Sequence, residues 1–411
     1  MELKTRYQYT NFIHTFVINK GSYSRYMMKL LKDERFELRI FQKEKDLELY
    51  TYFLPKMREF LFKTFDFDKN RQNKFNELPL ETKAAILADM PSVTFECNLS
   101  KDIHGKTVDE NSIFFRIQKI GVICFNTGVC FLYFKTNIEG SKEFSDVLNF
   151  NYKFRDINQD YSNLKNYDNI KVQTDSFENI RELQDFIGEI AGPNFNALKI
   201  NLDVERFYTY SYTCVEQNAW NDSNSFDNIK QDFEKYINIY PNDKNIDVSE
   251  DKTVRVVSQG KYAKLGISKL GVNLLSSDVD MSNYTVLPKE FENQYFYTYI
   301  LSLYLKVYLK KVNYEFKVGK ELDIARQKFV EFTKELWIQE ITSEDMGSLV
   351  YQSIRDSLEL EKLYGEVKNK YDILYRELKI EKNEKTSKFI AVILVLTLIV
   401  NIINWISYLG R

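Results

Sequence analysis

SIFFRIQKIGVICFNTGVCFLYFKTN, residues Ser112 to Asn137, carries the clearest β signal in the chain. Two runs of β-branched and aromatic residues flank Asn126-Thr127-Gly128. A turn this short needs a positive φ, which Gly128 supplies at little steric cost. The flanking residues are apolar at odd and even positions alike. Both faces of such a hairpin must be covered, which places it centrally in a sheet between two layers. Cys124 and Cys130 then face each other across the hairpin.

Strands and helices alternate outward from this hairpin. On the N-terminal side, YQYTNFIHTFVI reads as a strand, Gly21-Ser22 opens a helix through Leu31, FELRIF from Phe36 is a second strand, and a helix covers about Lys45 to Phe62. FKTFDFDKNRQNKFNE is a polar loop whose Asp66 and Asp68 lack a cation-loop pattern. A helix over 79–89 and a strand from Val93 to Leu99 follow. On the C-terminal side, LNFNYKFR from Leu148 to Arg155 reads as a strand or ordered turn, and Phe177 to Ile190 as an amphipathic helix. Ala197 to Val215 is again strand-like, with Tyr208, Tyr210 and Tyr212 on one face. A helix near Phe226 to Ile239 and the hairpin TVRVVSQGKYAKLGIS complete an α+β, α/β-layered body over residues 1–288.

After Pro288 the pattern is helical to the terminus. Phe291 to Phe316 contains YFYTYILSLYLKVYL and reads as a buried helix. A second helix covers Glu321 to Ile341, and Thr342-Ser343 cap a third. Leu360, Tyr364, Val367, Tyr371, Leu374 and Leu378 keep a four–three spacing, the seam of a coiled coil. Without a breaker, one helix of about 65 residues, roughly 100 Å, runs from Ser343 onward. Residues 289–387 thus read as a helical stalk.

Phe389 to Leu409, FIAVILVLTLIVNIINWISYL, is free of charge and at ~1.5 Å per residue matches a bilayer core. The expectation is one transmembrane helix over 388–411. Arg376, Lys379, Lys382, Lys385 and Lys388 precede it, which by the positive-inside rule keeps everything before Phe389 cytoplasmic. Thr397, Asn401, Asn404 and Tyr408 fall on one helical stripe. Polar side chains facing lipid need partners, so the stripe predicts a homo-oligomer, either sealed by Asn–Asn hydrogen bonds or built around a pore lined by those four residues. The plainer alternative is a tail anchor on a binding or scaffold protein.

Composition narrows the functional classes. In 411 residues, 57 Lys and Arg balance 59 Asp and Glu, so direct DNA or RNA binding is not expected. With 28 Tyr and 31 Phe there is ample core material. MELKTRYQYT has no signal-peptide character. Cys97, Cys124, Cys130 and Cys214 form no CxxC spacing, and with only His14 and His104 a multi-histidine metal site has little to draw on. No P-loop, HExxH, nucleophile elbow or paired-carboxylate motif is present, so an enzyme is not expected.

Candidate ligand-binding residues are Arg25, Arg116 and Arg155, which can pair with phosphates, and Tyr208, Tyr210 and Tyr212, which can stack on a base. The Gly21-Ser22 helix start adds backbone amides near Arg25. For each arginine alone, an ordinary ion pair is the simpler role, and a tyrosine stripe is more commonly the rim of a sheet.

GVICFNTGVCFLYF with LNFNYKFR, QYFYTYILSLYLKVYL, and a long helix ending in an apolar run together resemble the CorA family of divalent-cation channels over roughly residues 110 to 409. The resemblance implies a pentameric, funnel-like membrane protein in a bacterial inner membrane, with magnesium or another divalent cation as ligand. The family's second membrane helix and Gly-Met-Asn loop are absent, which removes the motif that receives magnesium. Diverged CorA-like proteins beside type III CRISPR systems look like membrane effectors switched by a nucleotide messenger. On that resemblance the chain is expected to be an antiviral channel or effector whose sensor domain takes a small nucleotide, with no cofactor certain.

Overall fold

In the computed structural model the Ser112–Asn137 hairpin lies inside a large sheet, as its two-sided apolar pattern requires. The structure describes residues 3–63, 69–99, 103–108, 112–157, 171–174, 180–191, 200–245, 253–318 and 322–409. Asp66 and Asp68 lie outside the described residues.

The strands are β1 (Thr5–Val17), β2 (Phe36–Arg39), β3 (Ser92–Cys97), β4 (Ile103–Val108), β5 (Phe114–Phe125), β6 (Val129–Glu139), β7 (Lys171–Thr174), β8 (Tyr208–Val215), β9 (Arg255–Gly260), β10 (Ala263–Ile267) and β11 (Gly271–Ser277). They form one sheet ordered β2-β3-β5-β6-β1-β8-β11-β10-β9, with β4 on the early part of β5 and β7 beyond it. The β8–β11 pair is parallel and the other pairings are antiparallel. Gly128 sits at φ +84°, and its backbone passes so close to the Ile18 carbonyl that a Cβ would fall 2.0 Å from that oxygen. The turn therefore needs glycine for space as well as for φ.

One face of the sheet is covered by α1 (Lys20–Lys32), α5 (Leu80–Asp89), α6 (Phe144–Phe154), α7 (Ile180–Ala191) and α8 (Lys230–Asn238). The other is covered by α2 (Leu47–Tyr52), α3 (Pro55–Phe62), a π-helical turn at Phe291–Tyr295, α11 (Phe296–Val318) and α13 (Asp345–Ser357). The short helices α4 (Lys69–Glu77), α9 (Ser282–Thr285) and α10 (Leu287–Glu290) link these layers. Alternation along β6 sends Val129, Phe131 and Tyr133 to the α11 face and Cys130, Leu132 and Phe134 to the other. All four cysteines are free, and Cys124 and Cys130 are cross-strand neighbours.

Four expectations about helices and strands change. Leu148 to Arg155 is the end of helix α6, not a strand: Phe144, Val147, Leu148, Asn151 and Phe154 form one buried helical face. The Lys45–Phe62 helix breaks before Pro55, whose fixed φ suits the first turn of α3 and not the interior of a longer helix. Strand β11, absent from the sequence reading, pairs in parallel with β8. The continuous helix from Ser343 is interrupted: α13 ends at Ser357, Glu359 takes φ +53°, and α14 (Leu360–Leu409) begins anew. Across this break the buried Arg355 guanidinium reaches Glu361, donates to the Ile338 carbonyl at 3.0 Å and lies 4.3 Å from the Trp337 ring.

The heptad seam of α14 is used within the chain. Leu360 and Val367 are fully buried, while Tyr364 and Tyr371 pack on Phe329 of α12 (Leu322–Glu335), and Tyr371 also meets Phe316 of α11. Leu378 is on the described helix, but its side chain lies outside the described residues.

The reading of Phe389–Leu409 as a transmembrane helix is corrected, and with it the inner-membrane placement, the cytoplasmic orientation and the channel. Among the described residues no helix is long and apolar enough to cross a membrane. The stretch is helical as the distal part of α14. Its described apolar side chains run from Phe389 to Val400, with Ile402 beyond, and all are exposed. The Thr397 hydroxyl donates to the Ile393 carbonyl at 2.8 Å, so its own helix satisfies it without a partner. Asn401, Asn404 and Tyr408 stand on helical backbone, and their side chains lie outside the described residues.

Candidate functional site

Strand β8 enters the sheet beside the exit of α6. The Phe207 N–H donates to the Arg155 carbonyl at 3.0 Å and the Ile157 N–H to the Glu205 carbonyl at 2.8 Å, clamping the two chain segments antiparallel. This clamp sets Arg155, the residue that caps α6, next to Tyr208, the first residue of β8. The Arg155 Nε donates to the Phe207 carbonyl at 3.3 Å, and beside it Arg206 pairs with Asp156 at 3.1 Å.

Helix α11 closes this corner with Tyr299, Lys306 and Lys310, spaced seven and four apart and so on one face. The Lys306 ammonium stands 5.4 Å over the Tyr208 ring, a cation–π contact. The Lys310 Nζ donates to the Asn201 carbonyl at 2.6 Å. The Tyr299 ring stacks on Tyr210, with centroids 5.7 Å apart, and its buried hydroxyl has no hydrogen-bond partner among the described residues. Lys269 pairs with Glu359, the left-handed residue between α13 and α14, at 2.9 Å.

The electrostatics favour an anion. Burial pushes Lys306 down to about 8, nearby Lys269 adds to this, and Glu359 opposes it. Burial also lowers Lys310 and Arg155, with Arg206 adding to the effect on Arg155, and burial raises Asp156. Five cations, Arg155, Arg206, Lys269, Lys306 and Lys310, meet three carboxylates, Asp156, Asp203 and Glu359. No ion pair to Lys306 or Lys310 occurs among the described residues. Half-buried cations without carboxylates are costly, and a multivalent oxyanion relieves that cost.

Of the residues singled out from sequence, this corner unites Arg155 with Tyr208. Arg25 is exposed on α1, whose buried residues belong to the core on the opposite face. Arg116 is engaged by Glu139 at 2.9 Å, and Glu139 also meets His104 at 2.8 Å. Tyr210 and Tyr212 share a sheet face with Tyr208 as expected, but they are core residues. Tyr210 stacks on Phe291 at 4.1 Å and donates to its carbonyl at 2.6 Å, and Tyr212 donates to the Asn283 carbonyl. Neither has a free face for a base.

Lys306, Lys310, Lys269 and Tyr299 were missed. A sequence signal existed for two of them: Lys306 and Lys310 interrupt an otherwise apolar helix at a spacing of four, and the sheet-facing side of such a helix is no ordinary place for lysine. Among the described residues no three His, Cys, Asp or Glu side chains gather as a metal site. No family model matches the chain, and no curated protein matches it.

Proposed function

We propose that the chain is a binding protein, not an enzyme, that takes a phosphate-bearing anion of the nucleotide class at the Arg155–Tyr208–Lys306–Lys310 corner and passes its occupancy to α14. The observation that carries the reading is the convergence, around one tyrosine ring, of half-buried cations without a carboxylate ion pair among the described residues. Arginine and lysine together hold a phosphate by hydrogen bonds and charge, and Tyr208 offers a ring beside it. The nucleotide class follows from the resemblance to nucleotide-switched CorA-like effectors. A ligand phosphate that attracts Lys306 weakens its pull on Glu359, the residue on which the α13–α14 junction turns. Coupling then requires that the ligand favour one of two junction geometries.

The same reading makes the protein a homo-oligomer. The exposed apolar side chains from Phe389 to Val400 form a surface that identical helices from further copies can cover. Isothermal titration of the full chain with ATP, AMP and inorganic phosphate tests the site. The Arg155→Met/Lys306→Met double variant is expected to bind about 100-fold more weakly, a loss of about 2.7 kcal/mol. Equal affinity of the double variant and the parent, or no binding by the parent, overturns the proposal.

A further inference from the structure

At the N-terminal end of α11 a second, chemically different cleft lies between the helix and the middle of the sheet. On the sheet side, Asn11 of β1 is the register partner of Lys135 of β6, which is in turn the partner of Lys119 of β5. This polar rung crosses three central strands whose neighbouring residues on the same face, Tyr9, Ile13, Tyr133 and Ile123, belong to the core. On the helix side, the π-helical turn at Phe291–Tyr295 presents Glu292 and Asn293, and the next turn Phe296 and Tyr297. Single π-helical turns inside longer helices occur frequently at functional sites. The space between has a volume of about 40 Å³, room for about three waters or a molecule of about four heavy atoms.

The charged groups here are already compensated. Lys135 pairs with Glu292 at 2.7 Å and Lys119 with Glu96 at 2.8 Å. What lacks partners is neutral. Asn11 is only 3% exposed, lines the cleft, and its carboxamide has no hydrogen bond among the described residues. The same holds for the hydroxyls of Tyr133 and Tyr297, also lining residues and buried. None of these polar atoms is sealed from solvent, and all three residues line the same small space. An added anion or cation would disturb two existing pairs, whereas a neutral molecule bearing both a donor and an acceptor need disturb neither.

We infer that this cleft binds a small uncharged amide. Its carbonyl oxygen accepts from the tyrosine hydroxyls and Lys119, and its amide N–H groups donate to the Asn11 oxygen and to Glu292. The site is independent of the anion corner, and it adds a second ligand class to the protein.

Saturation-transfer NMR on the full chain, with acetamide as probe and acetate as the charged isostere, tests the inference. Saturable transfer to acetamide but not to acetate is expected. Tyr133→Phe, which removes one hydroxyl and leaves the ring in place, should weaken acetamide binding about tenfold, and Asn11→Leu should abolish it. Transfer to acetate in preference to acetamide overturns the neutral class. No transfer to the parent, or unchanged transfer in the Tyr133→Phe protein, means that the cleft holds only water and overturns the site.

Discussion

The start and the middle of α11 handle buried cations in opposite ways. At its start, Lys119 and Lys135 on the sheet each have a carboxylate within 2.8 Å, and the groups left over are neutral. In its middle, among the described residues, Lys306 meets an aromatic face and, at longer range, Glu359, while Lys310 meets a backbone carbonyl. The fold at the start is complete in charge and open only in hydrogen bonding. In the middle it carries uncompensated positive charge next to the α13–α14 junction. Identical side chains on one helix–sheet interface thus mark different ligands, and the difference lies in the partners and not in the lysines.

The contrast can be broken most forcefully at the junction. Arg355→Ala removes hydrogen bonds to the Ile338 carbonyl and the Tyr351 hydroxyl, the link to Glu361 and the stack on Trp337. It is expected to cost about 3 kcal/mol by chemical denaturation, because buried acceptors lose their donor. A loss below about 1 kcal/mol would mean that the junction is not held by this residue.

On the other face of the sheet, His14 of β1 is a probe of the dry interior beside Phe16 and Phe207. It is buried, its Nδ1 has no partner among the described residues, and burial pushes it down to about 4. The unfolded chain therefore binds the proton first as pH falls below about 6.5, and neutral His14 contributes stability that is lost as pH falls to about 4. The expected loss attributable to this residue is about 3 kcal/mol, and it should vanish from the pH profile of His14→Phe. An unchanged profile would place His14 in contact with water.

The smallest effect sharpens the start of α11. Gly121 stands opposite Tyr133, and a Cβ there would fall 2.4 Å from the Tyr133 ring. Gly121→Ala should cost about 1 to 3 kcal/mol and shift the Tyr133 hydroxyl. It should weaken acetamide binding while leaving nucleotide binding at the other site unchanged. Parallel losses at both sites would show a general loosening.

Much of the body was legible because local patterns decided it: the Ser112–Asn137 hairpin, the strand at Thr5–Val17 and the buried helix after Phe291. Where the sequence misled, a tertiary contact decided. LNFNYKFR has strand-like composition, yet its phenylalanines match a helical face once Phe144 and Val147 are counted with them. Glu359 carries no breaker signal, and the break there is sustained by Lys269 and by Arg355 reaching Glu361. The α14 seam implied partner chains and is filled by α11 and α12 instead. Of the candidate site, Arg155 and Tyr208 were visible, while Lys306 and Lys310 were not singled out. Asn11 was hidden in an aromatic strand, where a single polar residue gives no sign of lacking a partner.

The central claim, that the Lys306 turn of α11 belongs to an uncompensated anion site, is tested most directly by titrating that amine. In chain carrying 13C-dimethylated lysines, with Lys306→Arg to assign the resonance, the Lys306 signal should titrate near 8 in the free protein and at higher pH with ATP present, since a bound anion favours the charged form. A midpoint near the ordinary lysine value of about 10.4 that ATP does not move would contradict the account.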